Sequence, residues 1–98
     1  MDMEALMAQA QDLQTKISAA QDSLATMHVK GISENGAVVV DMTGKYDVAS
    51  VVVSDEILSF GSAKVSELVK EAYKDAKSKA DILIDKVMSE ITGGTSAE

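Results

Sequence analysis

The sequence predicts an α+β domain in which a three-stranded antiparallel meander lies between two long helices. Turn signals at Asn35-Gly36 and Thr43-Gly44 divide a β-branched stretch into three short strands, and both flanking segments have helical periodicity. With 98 residues, 46% of them hydrophobic, the chain can fill one core but not two. We therefore expect one α-β-β-β-α domain over residues 1–94 and a disordered tail over 95–98. The expected helices lie at about 3–27 and 62–92, and the expected strands at about 29–33, 37–43 and 48–53.

The first helix has a narrow apolar seam. Its apolar residues alternate in steps of three and four, which is the heptad pattern of coiled-coil packing. At about 1.5 Å per residue this helix is roughly 37 Å long, much longer than a three-stranded sheet is wide. The seam therefore requires another helix, either the second helix of the same chain or a helix of a second copy. The seam consists of Met3, Leu6, Ala10, Leu13, Ile17, Ala20, Leu24 and Met27.

The three strands form the meander and carry apolar side chains on both faces. Asn35-Gly36 matches a type I′ hairpin turn, and Gly44 is expected to serve the second turn. The helices of one chain can cover one face of this sheet, so the other face or an edge requires a partner. Because exposed strand edges promote aggregation, we predict a homodimer. Its expected core consists of Val38, Val39, Val40, Val51, Val52 and Val53.

The second helix follows a short capped turn at residues 54–58. Ile57, Leu58 and Phe60 are expected to dock under the sheet. The apolar stripe of the helix is wide over residues 65–76, as expected for a helix that lies on a sheet, and becomes narrower beyond them. Gly93-Gly94 is expected to end the helix as a C-cap.

The residue types argue against catalysis. The chain has no cysteine and one histidine, His28, which cannot form a catalytic or metal-binding cluster within one chain. Phosphate-binding glycine motifs are also absent from the sequence. We therefore expect no enzyme activity, cofactor, metal or small-molecule substrate. The acidic N-terminus and the lack of a long apolar run predict a soluble cytoplasmic protein without a membrane partner.

The formal charge of −7, with nine lysines and no arginine, argues mildly against binding to nucleic acid. One basic feature remains on the second helix, where Lys70, Lys74 and Lys77 are spaced as a single stripe. The first interpretation is a solvated face held by ion pairs between residues three or four apart. The second is a strip that contacts phosphates, doubled by the twofold axis of a dimer. The expected ion pairs are Glu67–Lys70, Glu71–Lys74 and Asp75–Lys79.

The order of these elements and several local motifs resemble the YbaB/EbfC family of bacterial nucleoid-associated proteins. The resemblance extends from about residue 3 to residue 88. It implies an intertwined, tweezers-like homodimer that binds double-stranded DNA with little sequence preference and affects nucleoid organisation or gene expression. Lys30, Lys70, Lys74, Lys77 and Lys79 are the expected DNA-binding residues. The motifs that carry the resemblance are Val29-Lys30-Gly31, Asn35-Gly36, Val38-Val39-Val40, Gly44 and Leu68-Val69-Lys70-Glu71-Ala72-Tyr73-Lys74-Asp75-Ala76.

The chain departs from this family pattern on its second strand. Val39 stands where the family often has a basic residue, and Asp41 stands where it often has a hydroxyl. Any DNA binding by so acidic a protein must come from a local lysine patch and must weaken with salt. Two hypotheses follow: a dimeric DNA-binding protein of the nucleoid, or a dimeric scaffold that holds a protein partner between its helices.

Overall fold

The computed structural model of the chain describes residues 2–96, and side chains as far as residue 91. It confirms the α+β class and the predicted order, in which a three-stranded antiparallel meander separates two long helices. One short helix lies between the last strand and the long C-terminal helix. The elements are α1 Met3–Thr26, β1 His28–Ile32, β2 Val38–Thr43, β3 Val48–Val53, α2 Asp55–Leu58 and α3 Ser62–Ser96.

The sheet has the order β1-β2-β3, and α3 packs across β1 and β2. We call the face beneath α3 the inner face and the opposite face the outer face. Side chains alternate along a strand, so Val38, Val40 and Met42 of β2 all point inward. All three are fully or almost fully buried, and they form the centre of the core with Leu68 and the alanines of α3.

Gly31 allows α3 to lie directly on β1. A Cβ atom at this position would be 2.0 Å from the Ala72 carbonyl oxygen and 2.3 Å from the Ala76 nitrogen. Real Cβ atoms do not approach other atoms so closely, so only glycine fits between strand and helix. The small residues Ala72, Ala76 and Ala80 are completely buried along the same side of α3.

The first turn differs from the predicted geometry, whereas Gly44 lies in the second turn as expected. Gly36 has a φ of 75°, but Asn35 does not have a positive φ, so the first turn is not type I′. Its four-residue loop closes instead through the Ser33 N–H, which donates to the Val38 carbonyl over 2.9 Å. In the second turn the residue with positive φ is Tyr46, at 68°. Gly44 serves a close approach: its N–H donates to the Leu24 carbonyl at the end of α1, and a Cβ there would collide with Leu24.

The helices also differ from the prediction. Of the seam on α1, only Ala20 and Leu24 are buried, and Met3 is 73% exposed. α1 contacts α3 of the same chain. After β3, Ile57 is buried but Phe60 is exposed, so the prediction for this turn was only partly right.

The predicted helix end at Gly93-Gly94 was wrong, because α3 continues through both glycines to Ser96. Glycine weakens a helix by roughly 0.5–1 kcal/mol relative to alanine and does not forbid it. Residues 97–98 of the expected disordered tail lie outside the described residues.

Candidate nucleic-acid interface

Lys70, Lys74 and Lys77, which we call the lysine strip, lie on the solvent side of α3. The buried residues Ala72 and Ala76 define the side of the helix that faces the sheet. At 100° per residue the lysine strip points away from that side, and all three lysines are exposed. Among the described residues, none of the three is in an ion pair within 4 Å. The strip is therefore a row of exposed lysines without a close ion-pair partner among the described residues.

Two acidic residues of the same helix, Glu71 and Asp75, bind backbone groups at the edge of β1 and just beyond it. Glu71 Oε1 accepts a hydrogen bond from the Glu34 N–H over 3.1 Å, and Asp75 Oδ2 accepts one from the Ile32 N–H over 2.9 Å. The hydrogen bond from Ile32, together with the nearby Lys79 ammonium, lowers the pKa of Asp75 below its usual value. Of the three ion pairs expected on α3, only Asp75–Lys79 forms, with a separation of 3.0 Å.

The five expected DNA-binding lysines do not form one patch within the protomer. Lys79 Nζ donates to the Lys30 carbonyl oxygen over 2.8 Å and pairs with Asp75, so this lysine fastens α3 to the strand. The neighbour of Lys30, Gly31, faces α3, and alternation therefore places the Lys30 side chain on the outer face. The structure thus brings together Lys70, Lys74 and Lys77 and leaves Lys30 across the sheet from them.

The outer face of the sheet combines an apolar row with a polar row. Pairing aligns Ile32, Val39 and Val52 across the three strands, and Val52 is 61% exposed. Beside them, Asp41 lies opposite Lys30, and its Oδ1 atom is 2.6 Å from His28 Nδ1. Both residues that depart from the family pattern, Val39 and Asp41, therefore lie on this face, which is opposite the lysine strip.

The predicted dimer core requires a correction at Val38 and Val40. Both side chains are already buried against α3 of their own chain, so they have no surface for a partner. Val39 and Val53 are half-buried, whereas Val51 and Val52 are exposed. The sequence could not separate the two groups, because consecutive valines give no signal for the direction in which each points.

One contact, between the β2–β3 turn and α3, was not predicted from the sequence. The Tyr46 hydroxyl, at the β2–β3 turn, donates a short hydrogen bond to Asp81 Oδ1 on α3. That bond, with partial desolvation and the charges of Asp81 and Asp85, raises the pKa of Tyr46. The bond joins the turn to the helix. No local sequence signal identifies it, because Tyr46 and Asp81 are far apart in the chain.

Two further observations concern metal sites and membrane spans. The described residues contain no group of three or more histidine, cysteine, aspartate or glutamate side chains that could hold a metal ion. Within the same part of the chain, no helix is both long enough and apolar enough to cross a membrane.

Comparisons with known proteins agree with this architecture. The model of the YbaB/EbfC DNA-binding family matches residues 1–95. A nucleoid-associated protein of Bradyrhizobium diazoefficiens is 38% identical over 94 residues, which are 95% of this chain and 89% of that protein. One from Rhodospirillum rubrum is 38% identical over 90 residues, or 91% and 84% of the two chains. The crystal structure of the uncharacterized protein HP0035 from Helicobacter pylori has a similar fold, with a TM-score of 0.67 at 13% identity over 81% of this chain and 93% of that one.

Proposed function

Because the chain belongs to the YbaB/EbfC DNA-binding family, we propose that it is a non-catalytic, homodimeric protein of the bacterial nucleoid. It binds double-stranded DNA with little sequence preference, through contacts between lysines and phosphates. Its relatives bear the name nucleoid-associated protein, which supports a cytoplasmic location on the nucleoid and a role in nucleoid organisation or gene expression.

The lysine strip is the observation that carries this proposal. Lys70, Lys74 and Lys77 are exposed, share one side of α3 and have no ion-pair partner among the described residues. Glu71, one of the acids expected to neutralise the strip, accepts a hydrogen bond from the Glu34 N–H beside β1 instead. An ammonium strip of this kind suits the regular phosphates of a duplex, which attract positive charge regardless of sequence.

The absence of arginine supports the low sequence preference. Arginine makes the commonest specific base contact, the bidentate bond to guanine, and this chain has none. The net charge of −7 opposes DNA binding, but salt screens this repulsion over a Debye length of about 8–10 Å, so binding depends on short-range contacts of the strip.

The proposal is tested by a titration of labelled duplex DNA between about 50 and 200 mM salt. Three lysines from each of two protomers correspond to a log–log slope of roughly −5, or about a 10³-fold loss of affinity over this range. The triple variant K70E/K74E/K77E is expected to abolish this binding at low salt or to flatten its slope.

A matched control separates the effect of the lysine strip on DNA binding from the effect of net charge. The variant K16E/K45E/K86E changes the net charge by the same amount at lysines outside the strip. It should retain most of the affinity, apart from a modest loss due to long-range repulsion. Equal losses in the two triple variants would contradict a role for the strip, and a wild-type protein that does not bind at 50 mM salt would contradict DNA binding.

The second candidate function is a dimeric scaffold that holds a protein partner. The exposed seam on residues 3–16 of α1 favours it, since Met3, Leu6, Met7 and Leu13 are apolar and uncovered in the protomer. The same titration decides between the two functions, because a scaffold without useful DNA affinity would give no binding at any salt concentration.

A further inference from the structure

Two acidic residues of α3 have the spacing to pair with lysines of the strip. Glu71 lies three positions before Lys74, and Asp81 lies four positions after Lys77. Side chains three or four residues apart are neighbours on a helix, so each carboxylate is within reach of its lysine. In the described part of the chain, neither pair forms within 4 Å. Both carboxylates are bonded instead to groups outside α3.

Glu71 is held by the turn between β1 and β2. Its Oε1 atom accepts a hydrogen bond from the Glu34 N–H over 3.1 Å. The Gly36 N–H closes this turn by donating to the Ser33 carbonyl over 2.8 Å, and neither Glu34 nor Asn35 has a positive φ, as in a type I turn. Such a turn uses the N–H of its fourth residue. The N–H of its second residue, Glu34, is therefore available to Glu71.

Asp81 is held by the turn between β2 and β3. The Tyr46 hydroxyl donates a hydrogen bond to Asp81 Oδ1. This bond is the main reason that the pKa of Tyr46 lies above its usual value, so the hydroxyl keeps its proton at neutral pH and remains a donor. Because the protonated phenol is uncharged, Tyr46 directs a carboxylate without changing the net charge of the surface.

Lys70 lies outside this arrangement. Glu67 precedes it by three positions, and the structure gives the Glu67 side chain, unlike that of Glu71, no hydrogen bond to the sheet among the described residues. Lys70 is therefore an internal reference for the other two lysines of the strip.

We propose that the Glu34 N–H and the Tyr46 hydroxyl are positioning groups for the lysine strip. They hold the neighbouring carboxylates toward the sheet and leave the ammonium groups of Lys74 and Lys77 available to phosphates. This role depends on the proposed DNA binding and specifies which groups control the charge of that site. Loss of either donor frees its carboxylate to pair with the lysine beside it, and a phosphate must then displace that carboxylate.

The strength of a helical ion pair sets the size of the effect. One such pair corresponds to a change of about 1.4- to 2.3-fold in an equilibrium constant, or about 2- to 5-fold for the two copies in a dimer. The loss of DNA affinity on removing one donor is expected to lie in this range.

The variant Y46F tests the second donor, because it removes one oxygen atom and keeps both the ring and the net charge. Its affinity for a labelled duplex at about 50 mM salt should fall by about 2- to 5-fold. The double variant Y46F/D81N should regain at least the wild-type affinity, since no carboxylate remains to pair with Lys77. Y46F/D85N makes the same change of charge one turn further along α3 and should regain less. Unchanged affinity in Y46F, or equal recovery in the two double variants, would overturn the role of Tyr46.

The variant E34P tests the first donor, since proline has no N–H and is favoured at the second position of a type I turn. E34Q makes the same change of net charge and keeps the N–H. E34P should bind DNA about 2- to 5-fold more weakly than E34Q, whereas E34P/E71Q should match E34Q/E71Q. Equal affinities of E34P and E34Q, or a difference that persists without the Glu71 charge, would overturn the role of the Glu34 N–H.

Acylation of the lysines tests the positioning without DNA. A lysine paired with a carboxylate loses its proton less readily, so its amine reacts more slowly with acetic anhydride. Mass spectrometry should show Lys77 slowed in Y46F, and Lys74 slowed in E34P relative to E34Q, each by about 1.4- to 2.3-fold. Lys70 should keep its rate throughout. Unchanged rates at both Lys74 and Lys77 would overturn the proposal. A protein that shows the expected rates but whose wild type binds no DNA would contradict only the proposed function.

Discussion

At the scale of single residues, the decisive feature is the absence of a side chain at Gly31. The missing Cβ lets the backbone of α3 reach β1, and Ala72 and Ala76 keep the helix side of the contact equally small. This close approach brings Asp75 and Lys79 within hydrogen-bond distance of the edge of β1. One glycine thus determines both the packing of α3 and these contacts at the edge of β1.

The substitution G31A is expected to lower the free energy of unfolding by more than about 3 kcal/mol or to prevent folding, because the added methyl would overlap the backbone of α3. Urea unfolding followed by circular dichroism measures this change. The second change A76G should not rescue G31A, since the nearest obstacles are backbone atoms that remain. Full rescue by A76G would show that the helix is not held against the strand as described.

At the scale of elements, α3 performs three separate tasks with three sides of one helix. Its alanines lie on the sheet, and its lysine strip faces solvent. Between these sides, Glu71, Asp75 and Lys79 repeat every four residues and bind the edge of β1. A residue four positions on lies on the same side of a helix, so this row can follow the strand.

The bond between Asp75 and β1 predicts an acid-sensitive component of stability. Because the pKa of Asp75 in the folded protein lies below 3.8, its contribution is present above about pH 4 and is lost as the pH falls through the lower folded value. The variant D75N should therefore be less stable than the wild type at pH 7. The difference is expected to be about 0.5–1 kcal/mol, because the pair is partly exposed.

Urea unfolding at pH 7, 4 and 3 should show this difference becoming smaller in acid. The control D22N changes an exposed acid of α1 and should leave the pH dependence of the wild type intact. A difference between D75N and the wild type that stays constant over this pH range would argue that the carboxylate charge has no role at the edge of β1.

At the scale of the whole molecule, the protomer is elongated and incompletely covered. Its principal extents are 68 × 26 × 15 Å, much longer than a compact chain of this size. Along residues 3–16 of α1 every side chain is exposed, and β3 is exposed except for the half-buried Val53. These two regions are the places where a second copy would gain most from burial.

The thermal midpoint should consequently depend on the concentration of the chain. A homodimer couples folding to association, so dilution from about 100 to 1 μM is expected to lower the apparent Tm by mass action. Differential scanning fluorimetry with an added dye measures it, since the chain has no tryptophan. A constant Tm together with a mass near 10.3 kDa would contradict the dimer.

The class of the fold and the order of its elements could be predicted from the sequence alone. Heptad spacing in α1, β-branched runs and glycines at turns are signals between residues a few positions apart, and such signals survive without knowledge of the rest of the chain. The positions of the lysine strip on one side of α3 followed in the same way, from helical spacing alone. The exact turn types and the end of α3 did not, because glycine permits several conformations without requiring one.

Which surfaces remain free depends on contacts between distant parts of the chain, and these are visible only in the folded protein. Glu71 has the spacing of an ion-pair partner for Lys74 but binds a backbone group 37 residues away, and Asp75 binds one 43 residues away in addition to its pair with Lys79. Val38, Val39 and Val40 are identical in residue type, but α3 buries Val38 and Val40 and leaves Val39 on the outer face. These outcomes depend on the close approach of β1 and α3 at Gly31. For Glu71, a hydrogen bond to a distant backbone N–H replaces the local ion pair, because it satisfies a backbone group that β2 does not reach.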